Sequence, residues 1–321
     1  MALTNRTDLS LPLAALLAFD DYDYVKTPNY VSATGLLNST KSLILKSRLP
    51  TAQDIDLIDL LPSVLGTALH DRLEKAMLPA NYVKSLHRLG IPGHIIDRVK
   101  INPTEVVEND IPIYLEQRSV KELNGFNIGG KYDVVYQNTV RDLKSCKTFK
   151  WIKGDFEDYI KQGSIYRWLN QDIITEDHMF IDFIFTDWKK FEAEGNPNYP
   201  QQPVLSKRFN LMTIPETENW ISDKLSEVTR YKDADQASIP RCTLKELWQE
   251  PSKYAYYKKL GAKRATKVFT ELGDAVALQQ ANGGVGLVET REGKPRKCDY
   301  CSAKAICKQA QDYIFDGLLE A

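Results

Sequence analysis

The sequence predicts an α/β protein: a mixed β-sheet core flanked by helices, with a helical region before it and a small cysteine-bearing subdomain after it. Three observations carry this expectation. Apolar residues recur at helical spacing through much of the first hundred positions. From about Ile111 the period changes to two, with Asn and Gly turns between β-branched runs. After about Pro240 the composition turns basic, and three of the five cysteines gather between Cys298 and Cys307.

Taken in order, "SATGLLNSTKSLILKSR" is anchored by Leu36, Leu37, Leu43 and Leu45. "LPSVLGTALHDRLEKAML" places Val64, Leu65, Ala68, Leu69, Leu73 and Ala76 on one stripe, and Pro62 suits its first turn. "IPIYLEQRSVKEL", "FNIGGKYDVVY" and "TVRDLKSC" predict three antiparallel strands. "DFEDYIKQGSIYRWLNQ" predicts a helix with Phe156, Ile160, Ile165, Trp168 and Leu169 inward. "HMFIDFIFTDW" predicts a central strand and "VLSKRFNLM" an edge strand. "PETENWISDKLSEVTRYKDA" opens with Pro215 and acids, as helices do. "KYAYYKKLGAKRATKVF" predicts a ribbon turning near Gly261, and "TELGDAVALQQANG" a short helix ending at glycines. No internal repeat is present. The expected divisions are residues 1–110, 111–238 and 239–321.

The chain has 321 residues, of which 43% are hydrophobic and 26% charged, enough to bury a sizeable core. No apolar run reaches the roughly 18 residues of a membrane span. The apolar stretch Leu9–Phe19 is short, followed by acids and without a basic leader. The expectation is a cytoplasmic protein with no membrane partner. Net charge is −1, but Lys253–Lys308 holds 12 Lys/Arg against 5 Asp/Glu. Such a basic lobe suits a polyanion, and charge alone equally fits a solvated face.

The stretch "GGKYDVVYQNTVRDLKSCK" raises the question of chemistry. Asp142 and Lys144 stand at i and i+2 of a strand and share a face, with Leu143 expected to point into the core. A turn near Gln137–Thr139 would bring Asp133 beside Asp142. Two adjacent carboxylates repel, and a divalent cation such as Mg²⁺ or Mn²⁺ removes that cost. Bound water is then acidified for attack on a phosphodiester. Asp-x-Lys is also an ordinary surface pair. Gly129 and Gly130 would allow close approach of another backbone or of DNA.

Cys298-x2-Cys301-x5-Cys307 is the spacing of thiolates around one metal centre, and Cys242 would be the fourth ligand. Zinc and a [4Fe–4S] cluster both accept four cysteines. An odd count without an export signal argues against a disulfide framework. Cys146 has no partner in this pattern and reads as a structural thiol.

"GGKYD" followed by "RDLKS" resembles the PD-(D/E)xK nuclease superfamily, in its RecB-like branch. "GTALHDRLE", "YLEQRSV" and "QGSIYRWLN" fit that branch in order. The cysteine spacing is similar to that of AddAB-type and CRISPR adaptation nucleases, and the tail resembles phage-type exonucleases. In those families the lone cysteine precedes the core, whereas Cys242 follows it. The resemblance spans about residues 30–310.

The resemblance implies a restriction-endonuclease-like fold and a metal-dependent DNA nuclease, an exonuclease before an endonuclease. His70, Asp133, Asp142 and the Leu143 carbonyl would hold Mg²⁺ or Mn²⁺. Lys144 would assist the attacking water, Glu116 would match the acid preceding the first metal-binding Asp, and Gln162 with Tyr166 would match the family's Gln-x-x-x-Tyr. The four cysteines would carry [4Fe–4S], with zinc as the alternative, and would pin the C-terminal subdomain to the core. Lys258, Lys259, Lys263, Arg264, Arg296 and Lys297 are candidates for phosphate contacts. Tyr256, Tyr257 and Trp151 are candidates for base stacking. A recombination or helicase partner and a homo-oligomer fit the same picture, as does a DNA- or partner-binding module with little or no cleavage.

Overall fold

The computed structural model describes residues 2–49 and 54–320. The chain begins with β1 (Ala2–Thr4), α1 (Leu11–Ala18), β2 (Tyr30–Ser32), α2 (Ala33–Leu36) and α3 (Thr40–Ser47). Then come β3 (Asp54–Asp56), α4 (Leu61–Ala76), α5 (Pro79–Arg88), α6 (Gly93–Ile96) and β4 (Val99–Ile101). The middle of the chain forms β5 (Ile111–Leu115), β6 (Arg118–Leu123), β7 (Phe126–Lys131), β8 (Val134–Tyr136) and β9 (Thr139–Cys146). It continues through α7 (Thr148–Lys153), α8 (Glu157–Leu169), β10 (His178–Phe185), α9 (Lys190–Gly195), β11 (Val204–Asn210) and α10 (Ile214–Tyr231). The last elements are β12 (Lys253–Tyr257), β13 (Lys267–Phe269), α11 (Leu272–Ala281), β14 (Leu287–Arg291) and α12 (Lys308–Phe315).

Two compact units form: Met1–Leu37 with Pro50–Leu225, and Asn38–Leu49 with Ser226–Ala321. In the first, a six-stranded mixed sheet runs β11-β10-β9-β8-β5-β4, and a three-stranded sheet runs β2-β7-β6. This is the mixed, helix-flanked α/β core that the sequence predicts. β10 lies between parallel β9 and antiparallel β11, as expected of its near-continuous apolar run. Its residues alternate, with Met179, Ile181, Phe183 and Phe185 buried against Phe156, Ile165 and Trp168 at and along α8. Each such side chain contributes about 1.5–3 kcal/mol by leaving water.

The three predicted strands are five, and they belong to two sheets. The alternating pattern runs on across each break, so the sequence alone does not show the breaks. Glu116 adopts φ 51°, a left-handed conformation that turns the chain between β5 and β6. The return crossing, between β7 and β8, falls at Tyr132 and Asp133. Two backbone bonds tie the crossings together: Glu116 N–H to Asp133 O (3.0 Å) and Tyr132 N–H to Gln117 O (3.3 Å).

β8 and β9 close through Gln137 and Asn138, both with positive φ (51° and 58°), the pattern of a two-residue type I′ hairpin. Val134 pairs with Arg141, so the same register continued by one residue puts Asp133 opposite Asp142. Gly129 and Gly130 serve close approach, although the approaching groups are tyrosines. A Cβ on Gly129 would run into the Tyr30 ring, and one on Gly130 would lie 2.8 Å from Tyr166.

α4 forms as its apolar stripe predicts, but the stripe is not buried. None of its residues is buried, and Leu65 is 57% exposed. Its stripe is only half-covered, which leaves His70 accessible from solvent. Leu143 is likewise half-buried rather than in the core, while Asp142 on the opposite face is buried. The inner face of β9 carries Val140, which belongs to the buried cluster that includes α8 residues.

In the second unit, Lys41 on α3 donates to the carbonyls of Gln236 (3.0 Å) and Ile239 (3.3 Å) and is buried. That pairing explains why Asn38–Leu49 belongs with C-terminal residues. The predicted ribbon forms as β12–β13, with Gly261 at φ 77° in the connection. β14 completes it on the other side of β12; its pattern is mostly exposed and too short to have signalled a strand.

Candidate metal centre

Four parts of the chain deliver the site. His70 comes from α4, Glu116 from the β5–β6 crossing, Asp133 from the β7–β8 crossing, and Asp142 and Lys144 from β9. His70 Nδ1 lies 3.3 Å from both Glu116 Oε1 and Asp133 Oδ1. One ligand atom from each of these three residues lies within 4.8 Å of the others, a group able to hold a metal ion. The sheet crossings matter here. A straight strand would carry Glu116 and Asp133 past the site, whereas the two breaks aim them at one histidine.

Lys131 pairs with Glu116 Oε2 at 2.8 Å. It was missed in the sequence, although it stands two residues before Asp133. Asp133 Oδ2 accepts the Leu143 N–H at 2.7 Å, which fixes the carboxylate across the hairpin. Asp142 is 1% exposed. Lys144 Nζ lies 2.7 Å from its Oδ2, yet neither Asp142 oxygen accepts a directed hydrogen bond. The contact is an ion pair by distance only. A buried carboxylate whose Oδ1 has no partner and whose Oδ2 has only the Lys144 ammonium carries a desolvation penalty that a hard cation would relieve.

The charges follow from these contacts. Burial, and secondarily Asp133, push the Asp142 carboxyl up to about 6 against the pull of Lys144. Burial opposes the Lys144 ammonium, but Asp142 and Asp133 outweigh it and hold its pKa above the ordinary lysine value. Burial opposes the Glu116 carboxylate, but His70 and Lys131 outweigh it and lower its pKa.

Asp133, and then Glu116, raise His70 to about 10. A raised histidine stabilises the fold fully below its ordinary 6.5 and loses that contribution as pH climbs through about 10. In EDTA the thermal midpoint should therefore fall between pH 7 and pH 10, and His70→Gln should flatten that slope. Parallel curves for the two proteins would show that His70 is not held in this way.

Gln162 and Tyr166 form a pair on α8, with Gln162 Nε2 donating to Tyr166 Oη at 2.7 Å. A helix-surface pair is ruled out, since both are buried. Desolvation first, then Asp142 and Asp133, raise the Tyr166 phenol well above its ordinary value, so it stays neutral. A cavity of about 340 Å³ opens on the site, lined among others by His70, Glu116, Asp133, Lys131, Tyr30 and Tyr166. Arg118, also missed in the sequence, lines it and donates to Tyr30 Oη at 3.1 Å.

The four cysteines converge in the second unit as free thiols. Cys301 and Cys307 border one apolar cluster, and Cys298, Cys242 and Cys307 belong to or border another. Burial first, then Cys301, Cys307 and Cys242, push the Cys298 thiol up to about 12. Ser39 Oγ lies 3.1 Å from Cys242 Sγ, and Ser42 Oγ 3.6 Å from Cys301 Sγ. Among the described residues, no group of three ligand atoms within 4.8 Å of one another includes a cysteine.

Of the basic candidates, Lys258, Lys259, Lys263 and Arg264 are exposed in the β12–β13 connection. Arg296 and Lys297 lie in a 3₁₀ turn, Arg296–Tyr300, beside Cys298. One predicted stacking residue is excluded by burial: Tyr256 is fully buried and donates to Val285 O. Trp151 is half-buried and packs edge-on against Phe183 and Phe185. Among the described residues, no helix is long and apolar enough to cross a membrane.

No protein-family model matches the chain, and no curated protein matches it. Several solved structures do. The protein SSO0001 is 16% identical with a TM-score of 0.40, over 64% of this chain and 78% of that one. A phage-related exonuclease from Haemophilus somnus 129PT is 18% identical with a TM-score of 0.24, over 36% of this chain and 58% of that one. A chain from Eubacterium rectale named as a candidate exonuclease is 14% identical with a TM-score of 0.29, over 64% and 82%. Likeness at this level carries no inference about activity.

Proposed function

We propose that the protein is a divalent-cation-dependent DNA nuclease, and an exonuclease in preference to an endonuclease. The observation that carries the reading is the buried, unfilled Asp142 carboxylate, opposite Asp133 in register and ion-paired with Lys144. The donor set fits a hard dication: carboxylate oxygens and one imidazole. His70, Glu116, Asp133 and Asp142 would hold Mg²⁺ or Mn²⁺, with the Leu143 carbonyl as a further oxygen. Such an ion supplies an acidified water and offsets charge on the phosphoryl oxygens. Lys144, held cationic by both acids, would orient the attacking water and donate to developing charge. Tyr166, neutral and braced by Gln162, bounds the cavity beside the acids. The preference for exonuclease action and the phage-type setting rest on the sequence resemblance.

We further propose that Cys242, Cys298, Cys301 and Cys307 bind a [4Fe–4S] cluster in preference to zinc. The reading rests on the Cys-x2-Cys-x5-Cys spacing with a fourth cysteine, which zinc and a cubane both accept, and on the resemblance of that spacing to nucleases that carry [4Fe–4S].

The test uses linear single- and double-stranded DNA with Mg²⁺, Mn²⁺ or EDTA. Cleavage with either metal, none with EDTA, and none by Lys144→Ala is the expected outcome. Binding without products would make the chain a DNA-binding module instead. Degraded linear DNA beside intact closed circles distinguishes exonuclease from endonuclease action. Anaerobically purified protein should absorb broadly near about 400 nm, and a colourless zinc protein would overturn the cluster assignment.

A further inference from the structure

Trp248 is the exposed tryptophan of this protein: of its five tryptophans, only Trp248 is exposed, at 45% of its surface. Its backbone is also unusual, with φ 52° in the left-handed region. Two bonds explain the turn: Trp248 N–H to Lys245 O (3.1 Å) and Gln249 N–H to Leu244 O (2.9 Å). These are the paired bonds of a Schellman motif, and Trp248 holds the position normally given to glycine. A bulky side chain there strains the backbone. The strain is spent on an indole that reaches solvent instead of packing inward.

The surroundings are aromatic and cationic. Tyr300 is 75% exposed, its ring centroid 6.1 Å from that of Trp248 and inclined at 50°, so the two rings do not stack on each other. Lys297 Nζ sits 4.4 Å from the indole centroid, over the ring. Arg296 is exposed next to it in the same 3₁₀ turn. The whole group lies in the stretch of the chain whose Lys253–Lys308 portion has 12 basic residues against 5 acidic ones.

We propose that Trp248 and Tyr300, with Lys297 and Arg296, form a stacking platform for unpaired bases of single-stranded nucleic acid. Exposed π faces take any base, and the flanking cations take the phosphates between bases. The proposal rests on the reading of this chain as a DNA-binding protein and extends it to the strandedness of the substrate. Arg296, Lys297 and Tyr300 share one 3₁₀ turn with Cys298, so the proposed strand path begins beside a cysteine of the candidate cluster site.

The experiment titrates the full-length protein with oligodeoxythymidylate in EDTA, following tryptophan fluorescence and anisotropy of a labelled strand. Wild type should show quenching on binding. Trp248→Gly should lose that quenching and bind about 5- to 100-fold more weakly. Its thermal midpoint should equal or exceed wild type, because glycine suits the turn. Tyr300→Ala, which leaves the turn backbone untouched, should weaken binding in the same direction. Affinity unchanged in both variants, with wild type still cleaving DNA, overturns the platform alone and leaves the patch to a protein partner. Wild type that neither binds nor cleaves DNA overturns the platform and the nuclease reading together.

Discussion

Asp142→Asn should abolish cleavage while leaving the metal-free protein at least as stable as wild type. On the proposed nuclease reading, the loss of activity follows from removing one of the carboxylates that would hold the metal. Several kcal/mol of transition-state stabilisation disappear, on the order of a 10³-fold fall in rate. The stability effect has the opposite sign. The Asp142 carboxyl is raised from 3.8 to about 6 by burial and by Asp133. A raised acid destabilises the fold where it is ionised, so the penalty is absent below about 4 and complete above about 6. Two units correspond to about 3 kcal/mol at most. Asparagine keeps the shape without the charge. Its buried amide, with no directed partner, returns about 1–3 kcal/mol of that gain. Lys144 loses a counterion, but its side chain is 23% exposed and reaches water. Thermal unfolding in EDTA at pH 7.5 should give a midpoint no lower than wild type. Cleavage within tenfold of wild type would remove Asp142 from the site.

The parts of this site that a sequence can show are those set by local period. The hairpin turn, its register up to Val134 and Arg141, and the Asp142–Lys144 ion pair on one strand face all follow from two-residue alternation around a short turn. The central position of β10 and the edge position of β11 follow from apolar content in the same way. What the sequence does not show is where a strand changes sheets. Glu116 sits inside an unbroken alternating run, and only its left-handed backbone reveals the crossing. That crossing turns Glu116 from an ordinary strand acid into a partner of His70 and Lys131. Burial was equally hidden for Gln162 and Tyr166. Their i, i+4 spacing fits a helix surface as well as an interior, and the decision comes from β7, whose Gly130 lets the Tyr166 ring come close. The α4 stripe shows the helix but not its cover: the helix forms, and its apolar residues remain only half-covered.

Asp133→Ala should lose cleavage as fully as Asp142→Asn and, unlike it, should destabilise the fold. Asp133 is anchored where Asp142 is not. Its Oδ2 accepts the Leu143 N–H at 2.7 Å, and its Oδ1 faces His70 Nδ1 at 3.3 Å. Removing the carboxylate strands a half-buried backbone donor at a cost of about 1–3 kcal/mol. It also leaves His70 with Glu116 alone, so the histidine pKa falls back toward its ordinary value. Asp133→Asn separates the two roles. An amide oxygen can still accept from Leu143, so most of the stability should return, while on the proposed nuclease reading cleavage should not, because the charge that would hold the metal is gone. Urea unfolding in EDTA, run beside the cleavage assay, compares all three variants. Equal destabilisation by Asp133→Ala and Asp142→Asn would mean that Asp142 is bonded as firmly as Asp133, and an unfilled carboxylate would no longer distinguish this pair of acids from a structural one.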